Sequence, residues 1–198
     1  LFSQSRHIYS SAGRIFPPLP GNHVSKEMSS ARMSGARKEG DTVGNAPAQV
    51  VGIHAGASAF RAWITARGVS RLEFAEAPAE APLPPLAIQL ATQLEEYLAG
   101  QRTRFDVPLD LSACPVFQRR ILEACARVPA GATVTYAELA AQAGYPGAAR
   151  AAGSALARNP VPLLIPCHRV VRADGGLGGY LAGLAWKRRL LALEGVLL

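Results

Sequence analysis

Cysteine is scarce in this chain, and no C-x-x-C pair occurs. Cys114, Cys125 and Cys167 are the three cysteines in 198 residues. An odd, small number argues against a disulfide framework, and without a C-x-x-C pair there is no zinc-ribbon or thioredoxin-like signature. A reducing compartment is expected. No apolar run approaches the roughly 18–20 residues of a membrane-spanning helix, so a membrane partner is not expected. Acidic residues are also short, 14 against 21 basic, for a net charge of +7. What is present is apolar. Hydrophobic residues make up 49% and charged residues 18%, enough for a sizeable core and too apolar for wholesale disorder. The length allows one domain or two small ones.

The basic excess is uneven. Residues 1–46 carry 6 basic and 3 acidic side chains, residues 47–100 carry 3 and 5, and residues 101–198 carry 12 and 6. The C-terminal half is the basic one, and a polyanion is the first partner to consider. Residues 1–46 read as a disordered tail or a non-native extension. Ser, Gly, Arg and Pro dominate there, and no periodicity is sustained. Their Arg- and Ser-rich, acid-poor composition superficially fits a transit peptide, but Pro17, Pro18 and Pro20 would break its helix early.

Residues 48–76 read as a small antiparallel meander. Gln49–Ile53, Ala59–Ile64 and Val69–Phe74 are β-rich, with a turn signal at Arg67-Gly68. A Pro-rich link at 77–85 precedes helical spacing over Leu86–Leu98, ended by Gly100. From 115 the pattern is mostly helical, with an amphipathic helix over Val116–Val128. Thr135-Tyr-Ala-Glu138 is a capping-box pattern opening a helix through Gln142. After a turn at Gly144–Gly147, an Ala-rich helix runs from Ala148 to Ala157. Leu163–Ile165 reads as a short buried extended run. Residues 172–183 form a Gly-rich loop, and a last helix spans Ala185–Glu194. The helix-turn-helix layout at 135–157 suits DNA, since a small-residue second helix lets a backbone approach a groove and its N-terminus favours phosphate. It equally suits an ordinary packed helix pair.

Ile165-Pro-Cys-His-Arg-Val-Val171 carries the most chemistry. A cysteine becomes nucleophilic when a neighbouring base or cation stabilises its thiolate, and His168 and Arg169 follow Cys167 directly. Glu194 is a candidate to orient that base. Cys114 and Cys125 sit among apolar residues and read as structural. No ligand set at zinc spacing is present, so no metal is expected.

Pro166-Cys-His-Arg-Val170 resembles the signature of the O6-alkylguanine-DNA alkyltransferase family. Thr135-Tyr136, Ala148-Ala-Arg150-Ala, Asn159-Pro-Val-Pro162, Gly178-Gly-Tyr180 and Leu190-Leu-Ala-Leu-Glu194-Gly fall in the family's order and spacing. Leu94–Gly100 and Phe105–Leu109 are similar to its N-terminal domain, so the resemblance covers about residues 48–197. It implies an α+β fold. A small antiparallel, RNase H-like sheet domain over 47–110 would precede a helical domain over 111–198 with a winged or helix-turn-helix DNA-binding element.

The resemblance also implies a function. An alkyl group from O6-alkylguanine, and from O4-alkylthymine, would pass irreversibly to Cys167 after the nucleotide is flipped out of the duplex. The protein would be used once and need no cofactor. Cys167 would be the nucleophile, His168 the base acting through a water, and Glu194 its orienting partner. Asn159 would hold the turn around the site. Tyr136 would assist guanine departure. Arg150 would fill the hole left in the stack, with Thr135, Ala148, Ala149, Ala151 and Gly153 against DNA. Val170, Gly178, Tyr180 and Leu181 would wall the pocket, and Arg169 would bind backbone carbonyls beneath it. The partner would be double-stranded DNA, met in the minor groove by a monomer. The place would be the cytoplasm of a bacterium or the nucleus of a eukaryote, not the secretory route.

Some positions depart from the family. Leu122 stands where a Trp is usual, Ala113-Cys114 precedes the helix in place of Gly-Thr, and Leu181-Ala182 replace the Ser and Gly of some members. Three alternatives remain open at this point: a lesion-binding protein that transfers nothing, an unrelated thiol hydrolase, and a sequence-specific regulator. The first usually lacks the cysteine, the second needs an oxyanion hole, and the third needs polar base-reading side chains on the second helix.

Overall fold

The computed structural model describes residues 48–75 and 82–197. The tail expected at 1–46 and most of the Pro-rich link lie outside the described residues. Three strands open the described chain: β1 (Gln49–Ala55), β2 (Ser58–Thr65) and β3 (Gly68–Phe74). They form an antiparallel meander in the order β1-β2-β3. Alternation in β2 sends Phe60, Ala62 and Ile64 inward, as a half-buried strand requires. A register irregularity falls between Trp63 and Ile64. Helix α1 (Pro85–Leu98) covers the sheet with Ala87, Leu90, Leu94 and Tyr97, and Pro at its first position suits a helix start.

The second layer is helical. It comprises α2 (Val116–Ala126), α3 (Tyr136–Gln142), α4 (Ala149–Leu156) and α5 (Leu184–Leu193). A two-residue parallel pair joins β4 (Val134–Thr135) to β5 (Val170–Val171), an element too short to show any sequence period. The capping box at α3 is formed in full. The Thr135 oxygen accepts from the Glu138 amide at 3.2 Å, and Glu138 Oε2 accepts from the Thr135 amide at 2.7 Å. Gln118 of α2 donates from Nε2 to the Ala155 and Arg158 carbonyls at the end of α4, at 3.3 and 2.8 Å. It thereby ties α2 to the chain where α4 ends, sharing the Ala155 carbonyl with the Arg158 amide.

The stretch at 163–165 is not extended. Pro162 and Ile165 bridge around a turn in which Leu163 holds φ = 72°. A leucine rarely adopts that region. Here Asn159 enforces it, donating to the Ile165 carbonyl at 3.0 Å and accepting from the Val161 amide at 3.1 Å. The apolar run was therefore buried as expected, but on a turn held by a side chain six residues upstream.

The two layers share hydrogen bonds and rings. The Leu72 amide of β3 donates to the Pro160 carbonyl at 2.8 Å, and Phe74 meets Trp186 of α5 at 4.8 Å between ring centroids. Gly68 sits at φ = 142°, against the passing 108–110 segment. A Cβ there would lie 2.3 Å from the Pro108 carbonyl oxygen, a backbone atom that cannot yield. Gly68→Ala is therefore expected to destabilise the fold by more than about 2 kcal/mol, read as a lower urea midpoint at unchanged slope.

Candidate active site

The Asn159-held turn delivers Cys167 into a 3₁₀ turn, Cys167–Arg169, directly before β5. Cys167 is 7% exposed, and its sulfur accepts a hydrogen bond from Asn159 Nδ2 at 3.3 Å. Cys167 lines a cavity of about 550 Å³, together with Tyr136, Gly153, Leu156, Ala157, Gly179, Tyr180 and Leu181. Burial pushes the Cys167 thiol up, and the Asn159 amide and the Lys187 charge oppose that. The resting group is a thiol that needs a base.

His168 is fully buried beside it. Its Nε2 lies 3.0 Å from Glu194 Oε1, at the end of α5. A carboxylate only accepts, so Nε2 carries the proton and Nδ1 keeps its lone pair. Nδ1 is buried with no hydrogen-bonding partner among the described residues. Burial lowers the histidine below its usual range, against the pull of Glu194, so the ring rests neutral. Burial raises the Glu194 carboxyl, but the hydrogen bonds from His168, Arg169 and Tyr97 outweigh it and hold the group at about 2. Arg169 grips both Glu194 oxygens, Nε to Oε2 at 2.9 Å and Nη2 to Oε1 at 2.8 Å. It also donates to the Val128 and Thr103 carbonyls. The carbonyl contacts match the expectation for Arg169. The bidentate ion pair was not anticipated.

Two further groups escaped the sequence reading. Tyr97 of α1 donates to Glu194 Oε1 at 2.6 Å. Lys187 of α5 is fully buried, and its Nζ donates to the Val170 carbonyl at 2.6 Å and to the Leu177 and Gly179 carbonyls. Burial lowers this amine to about 8. It ties the Gly-rich loop to β5 and sets a positive charge near the thiol. Both side chains occupy interior positions of amphipathic helices, where the sequence signal is that of core filling.

The four residues expected at the pocket wall divide by position. Tyr180 and Leu181 line the cavity. Val170 does not, because it is fully buried in β5 and its backbone faces Lys187 and Val134. Gly178 stands behind Tyr136, where a Cβ would come within 2.6 Å of the phenol oxygen. The Tyr136 ring also packs on Gly153, so both glycines shape the wall through the tyrosine. Burial raises the Tyr136 phenol, so it stays a donor at neutral pH.

On the helix-turn-helix, Arg150 and Ala151 are exposed, while Ala148, Ala149 and Gly153 are half-buried. Ala152 and Ala155 point into the core, so part of the small-residue face serves packing. Thr135 uses one acceptor site of its hydroxyl as the α3 cap, and its hydroxyl proton stays available to a partner.

Residues 116–196 match the family described as 6-O-methylguanine DNA methyltransferase, DNA binding domain. A solved structure of the Mycobacterium tuberculosis O6-methylguanine methyltransferase superposes with a TM-score of 0.65 at 37% identity, covering 74% of this chain and 92% of that one. The chain belongs to the methylated-DNA–protein-cysteine methyltransferase family. The family member of Methanothermobacter thermautotrophicus is 49% identical over 115 residues, 57% of this chain and 64% of that protein. That of Mycolicibacterium paratuberculosis is 51% identical over 102 residues, 52% of this chain and 61% of that protein. The match thus spans just under two thirds of these curated relatives. The M. tuberculosis family member has also been solved in complex with DNA, at the same TM-score and identity. Among the described residues, no group of three or more His, Cys, Asp or Glu could hold a metal ion, and no helix is long and apolar enough to cross a membrane.

The Glu194 carboxyl lies well below its ordinary 4.5, at about 2. Its ionised form therefore stabilises the fold above pH 4.5, and that contribution fades as pH falls towards 2. Wild-type protein should lose stability across that window relative to Glu194→Gln, whose unfolding midpoint should be flatter with pH.

Proposed function

We propose that the protein repairs alkylated DNA by taking the alkyl group from guanine O6 onto Cys167. The observation that carries this reading is Cys167 lining one cavity with Tyr136 and Tyr180, in a chain of this family. His168 Nδ1 accepts the thiol proton, through a bridging water. The thiolate attacks the alkyl carbon in line. A sulfur–carbon bond forms, the carbon–O6 bond breaks, and the electron pair returns to the base. The proton held by His168 is returned through water to the guanine anion, with Tyr136 donating a hydrogen bond to the departing base, so the histidine ends neutral. Products are guanine and a thioether.

A thioether is a poor leaving group, and the reaction is therefore stoichiometric and ends with one spent protein. Asn159 keeps the sulfur placed and Glu194 orients the base, as the third member of a triad does. O4-alkylthymine is a second substrate of the same chemistry.

The partner is double-stranded DNA approached from the minor groove by a monomer. The lesion is unreachable inside a duplex, so the nucleotide must be extruded into the cavity. Arg150, exposed near the start of α4, fills the gap. Ala148, Ala149, Ala151 and Gly153 allow the helix close to the backbone, with Thr135 at the start of α3. In this reading residues 47–110 are a supporting domain, and residues 111–198 bind DNA and accept the alkyl group.

Protein mixed with a duplex holding one O6-methylguanine should gain one methyl on the Cys167 peptide, saturating at one per molecule by intact mass. Cys167→Ala should abolish the gain and keep duplex binding. Selective binding without any gain would reassign the protein to lesion recognition.

Arg150→Ala should slow transfer from duplex by at least about tenfold, given the cost of unstacking, and hardly affect transfer from the free base. Single-turnover rates on both substrates check this.

A further inference from the structure

The His168–Glu194 pair lies in the helical layer, yet one of its hydrogen bonds comes from the other layer. Tyr97 belongs to α1, which packs on the sheet. Its ring is fully buried and meets Phe105 at 5.1 Å between centroids. Its hydroxyl donates to Glu194 Oε1 at 2.6 Å and lies 3.3 Å from His168 Nε2. The Nε2 hydrogen goes to the same carboxylate oxygen at 3.0 Å, so the phenol and the imidazole meet on one acceptor. One carboxylate oxygen thus receives Tyr97, His168 and Arg169 together.

Resting on the alkyl-transfer reading, we propose that Tyr97 is a positioning residue for that reaction. It shares the charge on Glu194 and so keeps His168 neutral and ready to accept the thiol proton at Nδ1.

The physical argument is competition for one charge. An unshared buried carboxylate stabilises an adjacent imidazolium strongly. Each additional donor on Oε1 spreads that charge and weakens its hold on the imidazole proton. The other groups around His168 are Arg169 and Lys187, whose positive charges also disfavour the imidazolium, together with Cys167. The Tyr180 ring stands edge-on at 6.3 Å. Of these, Tyr97 is the neutral group that gives a hydrogen bond to the carboxylate. Burial raises its phenol further, so it remains protonated, and a donor, throughout the working range. A histidine that is already charged cannot take the proton of a buried thiol, so the acid limb of the transfer rate reports the state of this ring.

The test is the pH profile of single-turnover methyl transfer in the full chain. Tyr97→Phe keeps the ring and removes the hydroxyl. Its acid limb should move up by about one pH unit, a loss of about tenfold in rate at a pH on that limb. Replacing Tyr97 with 3-fluorotyrosine makes a stronger donor of equal shape and should move the limb down. Phe105→Leu loosens the packing but keeps the hydroxyl. It should lower the unfolding temperature and leave the limb in place.

An unmoved limb in Tyr97→Phe, a downward move, or an equal move in Phe105→Leu would overturn the proposal. If Tyr97→Phe fails to fold, the fluorotyrosine protein decides by the direction of its shift. The same profiles are read with iodoacetamide on the Cys167 peptide. A Tyr97-dependent shift there, without transfer from DNA, would refute the alkyl-transfer reading and leave the relay role standing. Transfer from DNA with unmoved profiles would do the reverse.

Discussion

A buried carboxylate governs the arrangement. Glu194 ends α5, and its two oxygens receive Arg169, His168 and Tyr97. A lone ion at that depth would be strongly unfavourable, and removing one partner from such a set leaves an uncompensated charge. The 3₁₀ turn, the last helix and α1 must therefore all arrive together. Satisfaction of one anion sets where the Cys167–Arg169 turn sits, which nitrogen of the histidine is bare, and how the sheet layer meets the helical layer.

The thiol side of the site follows a different rule. Cys167 is surrounded by few charges, and its environment favours the neutral form. Asn159 and Lys187 mitigate this without abolishing it. Asn159 does so by contact and by bending the chain. Lys187 does so from a distance while holding three carbonyls of β5 and the loop. A thiol held in its neutral form reacts slowly, since reactivity follows the thiolate.

Much of this was legible in the sequence, for definite reasons. The meander showed as period-two alternation, the helices as apolar spacing, and α3 as a capping box that forms atom for atom. Cys167, His168, Asn159 and Glu194 could be named from the motif order, and the structure gathers all four. Other features were hidden. Leu163 looks extended because three consecutive apolar residues carry no period that distinguishes strand from turn. Val170 adjoins the motif, but β-pairing turns it away from the cavity. Tyr97 and Lys187 matter through partners 97 and 17 residues distant, respectively. No local pattern encodes such contacts.

The hydrogen bond from the Leu72 amide to the Pro160 carbonyl joins β3 to the residue after Asn159. A sheet edge and the loop that leads to Cys167 are thereby tied together. Local openings of β3 and of the 159–167 turn share this bond, so their amides exchange with solvent on linked free energies and not independently. The small three-stranded sheet therefore braces the turn that leads to Cys167, although it adds no side chain to the lining of the cavity.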